Sequence, residues 1–186
     1  AKCLEKMNTF RRIYEDIYWK FYSIYLPTIH LLRHLRFFEF IRVLRLRHNS
    51  KLVHGAAKVH FQKNELVVLC TVRNGQKFIR SFIEHYSELG AKHIIFLDTG
   101  SDDNTVKIAR EFENVTVLST TIKYKHNEFA MKRYLFDRFS KNRWSIFADI
   151  DEFFDYPYSD KITITDLLEY LNKQNYNAVV TQMLDM

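Results

Sequence analysis

The apolar residues of this chain follow two different periods, one before and one after about residue 65. From Phe10 to Tyr25, aromatic and aliphatic side chains recur in steps of three and one, which is typical of one helix face. Residues 30–47 mix leucine and phenylalanine with five arginines and indicate a basic amphipathic helix. We therefore predict a basic, aromatic-rich helical segment over residues 1–64 and a second region over residues 65–186.

From Glu65 onward, short continuous apolar runs alternate with helical patterns. The runs predict strands, and the stretches between them predict helices at about 78–89, 106–112, 128–140 and 166–174, the last capped by Thr165. The predicted strands are Leu66–Val72, Ile94–Leu97, Val115–Leu118, Ser145–Ala148 and Ala178–Met183. This alternation predicts an α/β fold, a mostly parallel Rossmann-like sheet with helices on both faces. We expect the C-terminal part of the domain to lie beyond Met186.

Ligands of such sheets bind beyond the carboxyl ends of the strands, so the loops after Val72, Leu97 and Ala148 are the candidates for chemistry. The last loop carries Asp149 and Asp151, which an extended backbone would project to the same side. Two carboxylates held together favour a hard cation such as Mg²⁺ or Mn²⁺, which bridges carboxylates to substrate phosphates. A solvated acidic turn or a helix N-cap would explain the same residues.

The positive charge lies almost entirely in the first region. Residues 1–65 carry 13 Lys or Arg and 5 Asp or Glu, whereas the remainder carries 15 and 17. The basic segment 10–47 fits two hypotheses equally: it lies on an anionic membrane surface, or it forms a helical hairpin packed on its own domain. Nucleic-acid binding ranks third and is not expected, because no nucleic-acid-binding motif accompanies the charge.

The order of motifs beyond residue 65 resembles a known family. A strand followed by R-N, a strand followed by D-x-G-S-x-D-x-T, and then W-x-x-F-x-D-x-D-E-F is similar to the family 2 glycosyltransferases of the A-type, nucleotide-diphospho-sugar fold, in the subgroup with D-x-D-E-F. The resemblance covers about residues 65–186. It implies transfer of a sugar, with a metal ion, from a nucleotide-diphosphate sugar such as a UDP-sugar to a glycan, lipid or protein acceptor, with inversion.

The resemblance also assigns roles to individual residues. It implies that Asp98 contacts the nucleotide base, that Asp149 faces the ribose and the metal, and that Asp151 ligates the metal. Further nucleotide-sugar-binding positions that it implies are Thr71, Val72, Arg73, Gly100, Lys132 and Arg133. For Lys132 and Arg133, contact with the diphosphate and a solvated helix surface are equally good interpretations. The catalytic base is expected beyond Met186, and Gly75-Gln76 stands where relatives often have an acidic residue after R-N.

Two other functions also fit the sequence. A sugar-nucleotide nucleotidyltransferase would share the sheet and the metal, but its first loop would be richer in glycine than residues 73–77 are. A catalytically idle, membrane-associated module of a polysaccharide assembly complex is the third hypothesis. Cys3 and Cys70 show no disulfide or zinc spacing, and no run of apolar residues is long enough to span a bilayer. These features predict a cytoplasmic protein, peripheral to the membrane if the basic segment binds lipid.

Overall fold

The computed structural model describes residues 37–182 and divides the chain into two compact units, residues 1–42 and 43–186. The helical face from Phe10 to Tyr25 therefore lies outside the described residues. Residues 37–49 form helix α1, in agreement with the predicted basic helix where the two overlap. The domain boundary predicted between residues 64 and 65 stays a prediction.

Five strands form one sheet in the order β1-β4-β3-β2-β5. Strands β2 to β5 run parallel, while β1 is antiparallel to β4 at one edge. The strands are β1 (Lys51–His54), β2 (Leu66–Val72), β3 (His93–Asp98), β4 (Val115–Ser119) and β5 (Trp144–Phe147). The remaining helices are α2 (Ile79–Glu88), α3 (Thr105–Ala109), α4 (Glu128–Leu135) and α5 (Ile164–Lys173), with a π-helical turn, Phe136–Ser140, directly after α4. The predicted α/β fold with a mostly parallel sheet is confirmed.

Alternate residues of the central strands enter two separate cores, as the pleat of a strand requires. Val68 and Cys70 of β2 pack on one face with α2, α3 and α5. Val67 and Leu69 pack on the other face with α4 and with Val43 of α1. Helices therefore cover both faces, which explains why these strands are continuously apolar. Cys70 is fully buried as a small apolar residue, as predicted.

Most predicted elements occur within one or two residues of their expected positions. Gly90 ends α2 with a φ of +94°, a left-handed conformation that glycine adopts without a Cβ penalty. The predicted helix 128–140 is divided, because its last five residues form the π-helical turn. The cap of α5 is Thr163, not Thr165: the Thr163 hydroxyl accepts from the backbone of Asp166, whose carboxylate accepts from Thr163 in return.

The predicted strand Ala178–Met183 is wrong over the part that the structure describes. Residues 178–182 have no strand, and Val180 is 99% exposed. Extended residues become a strand only when a neighbouring strand satisfies their backbone groups, and within residues 37–182 none pairs with this run. Conversely, β1 was missed, because four residues flanked by polar positions carry little periodic signal. No helix within residues 37–182 is both long and apolar enough to span a membrane.

Candidate active site

The candidate site lies where the order of strands reverses. The chain leaves β2 toward β3 and β4 on one side, and then returns to place β5 on the other side of β2. In open parallel sheets the crevice that binds ligands opens at such a point, beyond the carboxyl ends of the two diverging strands. Thr71 and Val72 end β2, and Asp149 follows β5 after Ala148, whose backbone N–H donates to Leu69 at 3.1 Å. The fold thus brings these predicted residues to one edge of the sheet.

The loops after β2 and β3 are joined side by side. The backbone N–H of Asn74 donates to the Ser101 hydroxyl at 2.8 Å, and the Asn74 side chain accepts from Asp102 at 3.0 Å. Gln76 repeats the arrangement two residues later, with Asp103 at 3.1 Å and Asn104 at 3.0 Å as its partners. Asn74 and Gln76 therefore have a structural function.

The two residues that precede Asn74 differ in exposure. Arg73 is exposed, whereas Val72, the last residue of β2, is buried. Gly75-Gln76 stands where the family 2 resemblance expects an acidic residue. Here the backbone N–H of Gln76 donates to the Asp103 carboxylate, and the Gln76 side-chain oxygen accepts from the backbone N–H of Asn104.

Asp98 ends β3 opposite Val72 and is only 3% exposed. Its carboxylate accepts from the backbone N–H of Ser101 at 3.1 Å and of Gly100 at 3.3 Å, and from the Ser119 hydroxyl at 3.3 Å. Gly100 has a φ of +94°, and a Cβ placed there would meet no atom within 4 Å. Glycine is thus required at this position by the backbone conformation, and open space adjoins the loop that Asp98 shapes.

Residues 149–152 form a tight turn, not the extended segment that the sequence analysis assumed. The backbone N–H of Glu152 donates to the carbonyl of Asp149 at 2.9 Å, and the Glu152 carboxylate accepts from the backbone N–H of Asp149 at 3.0 Å. We call residues 149–152 the acidic turn. Glu152 therefore closes the turn with its side chain, while Asp151 is exposed.

The acidic turn gathers negative charge. Burial and then the Glu152 carboxylate raise the pKa of Asp149; Lys132 lowers it, and the carboxylates of Asp151 and Glu128 raise it further. Burial, and after it the carboxylates of Asp149, Glu152 and Asp151, raise the pKa of the Cys70 thiol. Within residues 37–182, no three His, Cys, Asp or Glu side chains converge closely enough to hold a metal ion by themselves.

Lys132 is the cation beside this turn. Its ammonium group lies 2.8 Å from the Glu128 carboxylate and 4.8 Å from the centroid of the Phe147 ring, at the end of β5. Tyr124 joins the same group, since burial and then its hydrogen bond to Glu128 raise the pKa of the phenol to about 12, with Thr71 as a further partner. Tyr124 was missed by the sequence analysis, because a tyrosine in a loop carries no distinguishing signal.

Arg133 takes a different position from its neighbour. Its guanidinium pairs with Asp137 at 3.3 Å on the exposed side of α4, and its side chain is 70% exposed. Consecutive residues of a helix point about 100° apart, so Lys132 and Arg133 cannot both face the acidic turn. In the described part of the chain, Lys132 is the one of the two that adjoins it.

A shallow cavity of about 360 Å³ lies elsewhere. Its lining includes Gly90 and Tyr156, near the end of α2 and the start of α5. Gly90 precedes β3, so this cavity lies at the amino edge of the sheet. None of the predicted site residues lines it.

Comparison with known proteins gives one family match. The model of glycosyltransferase family 92 matches residues 66–185, well over half of the chain. No curated protein matches the sequence. Among solved structures, TarS of S. aureus, residues 1–349, is similar with 14% identity and a TM-score of 0.45 over 60% of this chain.

The chain spans 33% of the length of that TarS structure. The family match confirms the predicted class of transferase enzyme, a glycosyltransferase, whereas the narrower likeness to family 2 stays a prediction. The chain belongs to glycosyltransferase family 92.

Proposed function

We propose that this chain binds a nucleotide-diphosphate sugar, a UDP-sugar in the first instance, with the help of Mn²⁺ or Mg²⁺, and that the sugar is transferred to a glycan, lipid or protein acceptor with inversion. One observation carries the proposal: the acidic turn and Lys132 adjoin each other at the carboxyl ends of β2 and β5, where the order of strands reverses. The likeness to family 2 members with D-x-D-E-F belongs to the same proposal.

The donor set fits a hard divalent cation that is only partly held by protein. Asp149 and Asp151 supply carboxylate oxygens, which such cations prefer. Burial, and then the Glu152 carboxylate, raise the pKa of Asp149 by more than Lys132 lowers it. Magnesium typically takes one or two carboxylates and completes its shell with water and substrate phosphates. Two carboxylates without a third ligand therefore suit a metal that arrives with the diphosphate. Bound there, the metal would act as a Lewis acid toward the leaving diphosphate.

The remaining residues have separable functions in this proposal. Lys132 offers its ammonium group to the diphosphate, exchanging the Glu128 carboxylate for phosphate oxygen. Asp98 and Gly100 receive the base in the open space beside their loop, and Thr71, Val72 and Arg73 border it from β2. Arg133 takes no part, because it lies on the exposed side of α4, about 100° around the helix from Lys132. A catalytic base beyond Met186 stays a prediction.

Calorimetric titration of the chain with UDP, in MnCl₂ or in EDTA, tests the proposal. We expect chelation to weaken UDP binding about tenfold or more, a loss of about 1.4 kcal/mol, because the diphosphate and the acidic turn repel each other without a bridging cation. Asp151→Asn should weaken UDP binding in MnCl₂ and abolish its dependence on metal. Equal affinity in MnCl₂ and EDTA for the unsubstituted chain would contradict the proposal.

Asp160→Asn is the matched control. Asp160 is exposed and lies C-terminal to the acidic turn. Its substitution changes the net charge by the same amount as Asp151→Asn. Its substitution should leave both affinity and metal dependence unchanged. If Asp160→Asn and Asp151→Asn behave alike, the effect is one of overall charge and Asp151 is not a ligand.

A further inference from the structure

We infer that His85 and Tyr86, at the end of α2, are positioning residues that hold the acidic turn in the shape required for donor binding. The inference rests on the proposed function for its consequence, although the contacts themselves do not depend on it. Neither residue belongs to a recognised motif. Both lie in α2, whose sequence pattern predicts only a helix with one face buried in the core.

Tyr86 places a hydroxyl group among backbone groups just after the turn. It donates to the carbonyl of Glu152 at 3.2 Å and accepts from the backbone N–H of Phe154 at 3.1 Å. Its ring is fully buried and packs on Phe82, with ring centroids 4.6 Å apart. Burial raises the pKa of Tyr86 to about 12, so the hydroxyl keeps its proton and can donate at neutral pH.

His85 holds the same segment from its outer side. Its Nε2 lies 2.9 Å from the carbonyl of Phe154, and because a carbonyl can only accept, Nε2 must be the donor. The Phe153 ring meets the His85 ring edge to face, with centroids 5.1 Å apart. Three consecutive residues, 152–154, are thus tied to two neighbouring residues of one helix.

This attachment reaches the acidic turn through Glu152. The residue whose carbonyl Tyr86 binds is the one whose side chain closes the turn on the backbone N–H of Asp149. A shift of Glu152 would therefore open the turn and change the separation of Asp149 and Asp151. Residues that orient metal ligands without touching the metal typically contribute 10- to 100-fold to metal affinity.

Tyr86→Phe removes the hydroxyl and keeps the packed ring. Amide hydrogen exchange, followed along the whole chain, should accelerate about fivefold or more at residues 149–154, the loss expected for one net hydrogen bond. The MnCl₂ concentration that half-saturates UDP binding should rise roughly tenfold. His85→Ala, which alters a half-buried residue outside the core, should change both measurements in the same direction.

Tyr134→Phe is the matched control. Tyr134 is equally buried, but it lies in the core on the other face of the sheet, and its hydroxyl accepts from Arg138 at 2.6 Å. This variant should lose stability without faster exchange at residues 149–154 and without a change in the MnCl₂ requirement. Equal effects from Tyr86→Phe and Tyr134→Phe would overturn the inference, as would unchanged exchange at residues 149–154 in Tyr86→Phe.

The two proposals fail separately. If the unsubstituted chain binds UDP without regard to MnCl₂, the proposed function is wrong, and the exchange data alone decide whether His85 and Tyr86 hold the turn. If binding depends on MnCl₂ and Tyr86→Phe leaves that dependence unchanged, the positioning role is wrong and the proposed function stands.

Discussion

At the scale of single residues, Asp98 has two roles that sequence alone cannot separate, contact with the nucleotide base and hydrogen bonding to the loop after β3. The resemblance to family 2 assigns its carboxylate to the nucleotide base, whereas the structure has the same carboxylate bonded to the loop that follows it. Both can hold at once, because a carboxylate offers about four acceptor sites and its described partners are two backbone amides and the Ser119 hydroxyl. A substitution meant to test base recognition must therefore preserve the loop.

Asp98→Asn comes closest to this, since the amide has nearly the same shape and keeps one oxygen that can accept from Gly100 and Ser119. We expect UDP binding to weaken by about 1.5 to 3 kcal/mol, the usual contribution of a hydrogen bond to a charged group. The dependence on MnCl₂ should persist, because the change lies at the base and not at the diphosphate. Titration calorimetry in MnCl₂ and in EDTA measures both properties.

Asp102→Asn provides the control for this experiment, because Asp102 is exposed in the same loop. It carries the same charge, and only its backbone bonds to Asn74. Its affinity for UDP should match that of the unsubstituted chain. An Asp98→Asn variant with unchanged affinity would remove Asp98 from the binding site.

At the scale of elements, α5 shows how a local sequence decides where a helix begins. Two threonines precede its apolar face, and either could supply the capping oxygen. Thr163 has an extended backbone, with ψ of 156°, and its side chain reaches Asp166, the third helical residue. Thr165 lies inside the first turn, and the backbone N–H two residues after it, that of Leu167, already donates to the carbonyl of Thr163 at 3.1 Å.

Thr163→Ala should destabilise the fold because α5 is anchored in the core by Ile164, Leu168 and Leu171. Loss of an N-cap costs about 0.5 to 2 kcal/mol. For a domain of this size that free energy corresponds to a fall in Tm of roughly 1 to 8 °C. Thermal unfolding followed by circular dichroism measures the change.

Thr165→Ala is the control within the same helix. Alanine has the higher helix propensity, so its Tm should stay the same or rise slightly. A larger loss for Thr165→Ala than for Thr163→Ala would mean that α5 begins two residues later than described. The predicted cap at Thr165 would then be right.

At the scale of the whole molecule, the open question is the role of the basic segment 10–47. Residues 10–36 lie outside the described residues, but the end of the segment is informative. Phe37, Phe38 and Phe40 are each more than half exposed, whereas Val43 and Leu46 are buried in the core of the unit 43–186. We propose that the segment binds anionic membrane through its exposed side chains, while Val43 and Leu46 anchor its end in the folded domain.

Membrane binding should fall steeply as salt rises, because charge attraction to anionic lipid is screened over about 10 Å at 0.1 M ionic strength. Co-sedimentation with neutral phosphatidylcholine vesicles and with vesicles containing phosphatidylserine measures it. Substituting Arg33, Arg36, Arg42 and Arg45 with Gln should abolish the preference for anionic vesicles. Substituting Lys107, Arg110, Lys123 and Lys125, four exposed cations of the unit 43–186, is the charge-matched control and should preserve it.

Deletion of residues 1–42 distinguishes the membrane hypothesis from the helical-hairpin hypothesis. The membrane hypothesis predicts loss of vesicle binding with an unchanged Tm, since the buried Val43 and Leu46 are retained. The hairpin hypothesis predicts a large loss of Tm, because removing the hairpin would expose core. If the chain shows no preference for anionic vesicles and the truncation lowers Tm strongly, the membrane hypothesis is wrong. A peripheral location on the cytoplasmic face of a membrane is then excluded with it.

The sequence by itself determined strands β2 to β5, helices α2 to α5 and their order. Apolar runs in β2, β3 and β4 and the helical faces of α2 and α5 are local patterns, and their periods follow from backbone geometry alone. The sequence also located the strand ends and loops that carry Asp98 and Asp149, because parallel strands place their carboxyl ends at one edge. It failed for residues 178–182, where an apolar run predicts a strand only if a partner exists.

Only the tertiary structure decided which side chains meet. Asn74 and Gln76 join two loops, and Tyr86 contacts residues 152–154, although these partners are far apart in the sequence. Glu152 lies only three residues from Asp149, but the D-x-D spacing does not predict that its side chain closes the acidic turn. Lys132 and Arg133 are adjacent and alike in sequence, yet the rotation of α4 places one beside the acidic turn and the other beside Asp137. Hydrogen bonding and charge act through space, so their partners depend on how the elements pack and not on their order along the chain.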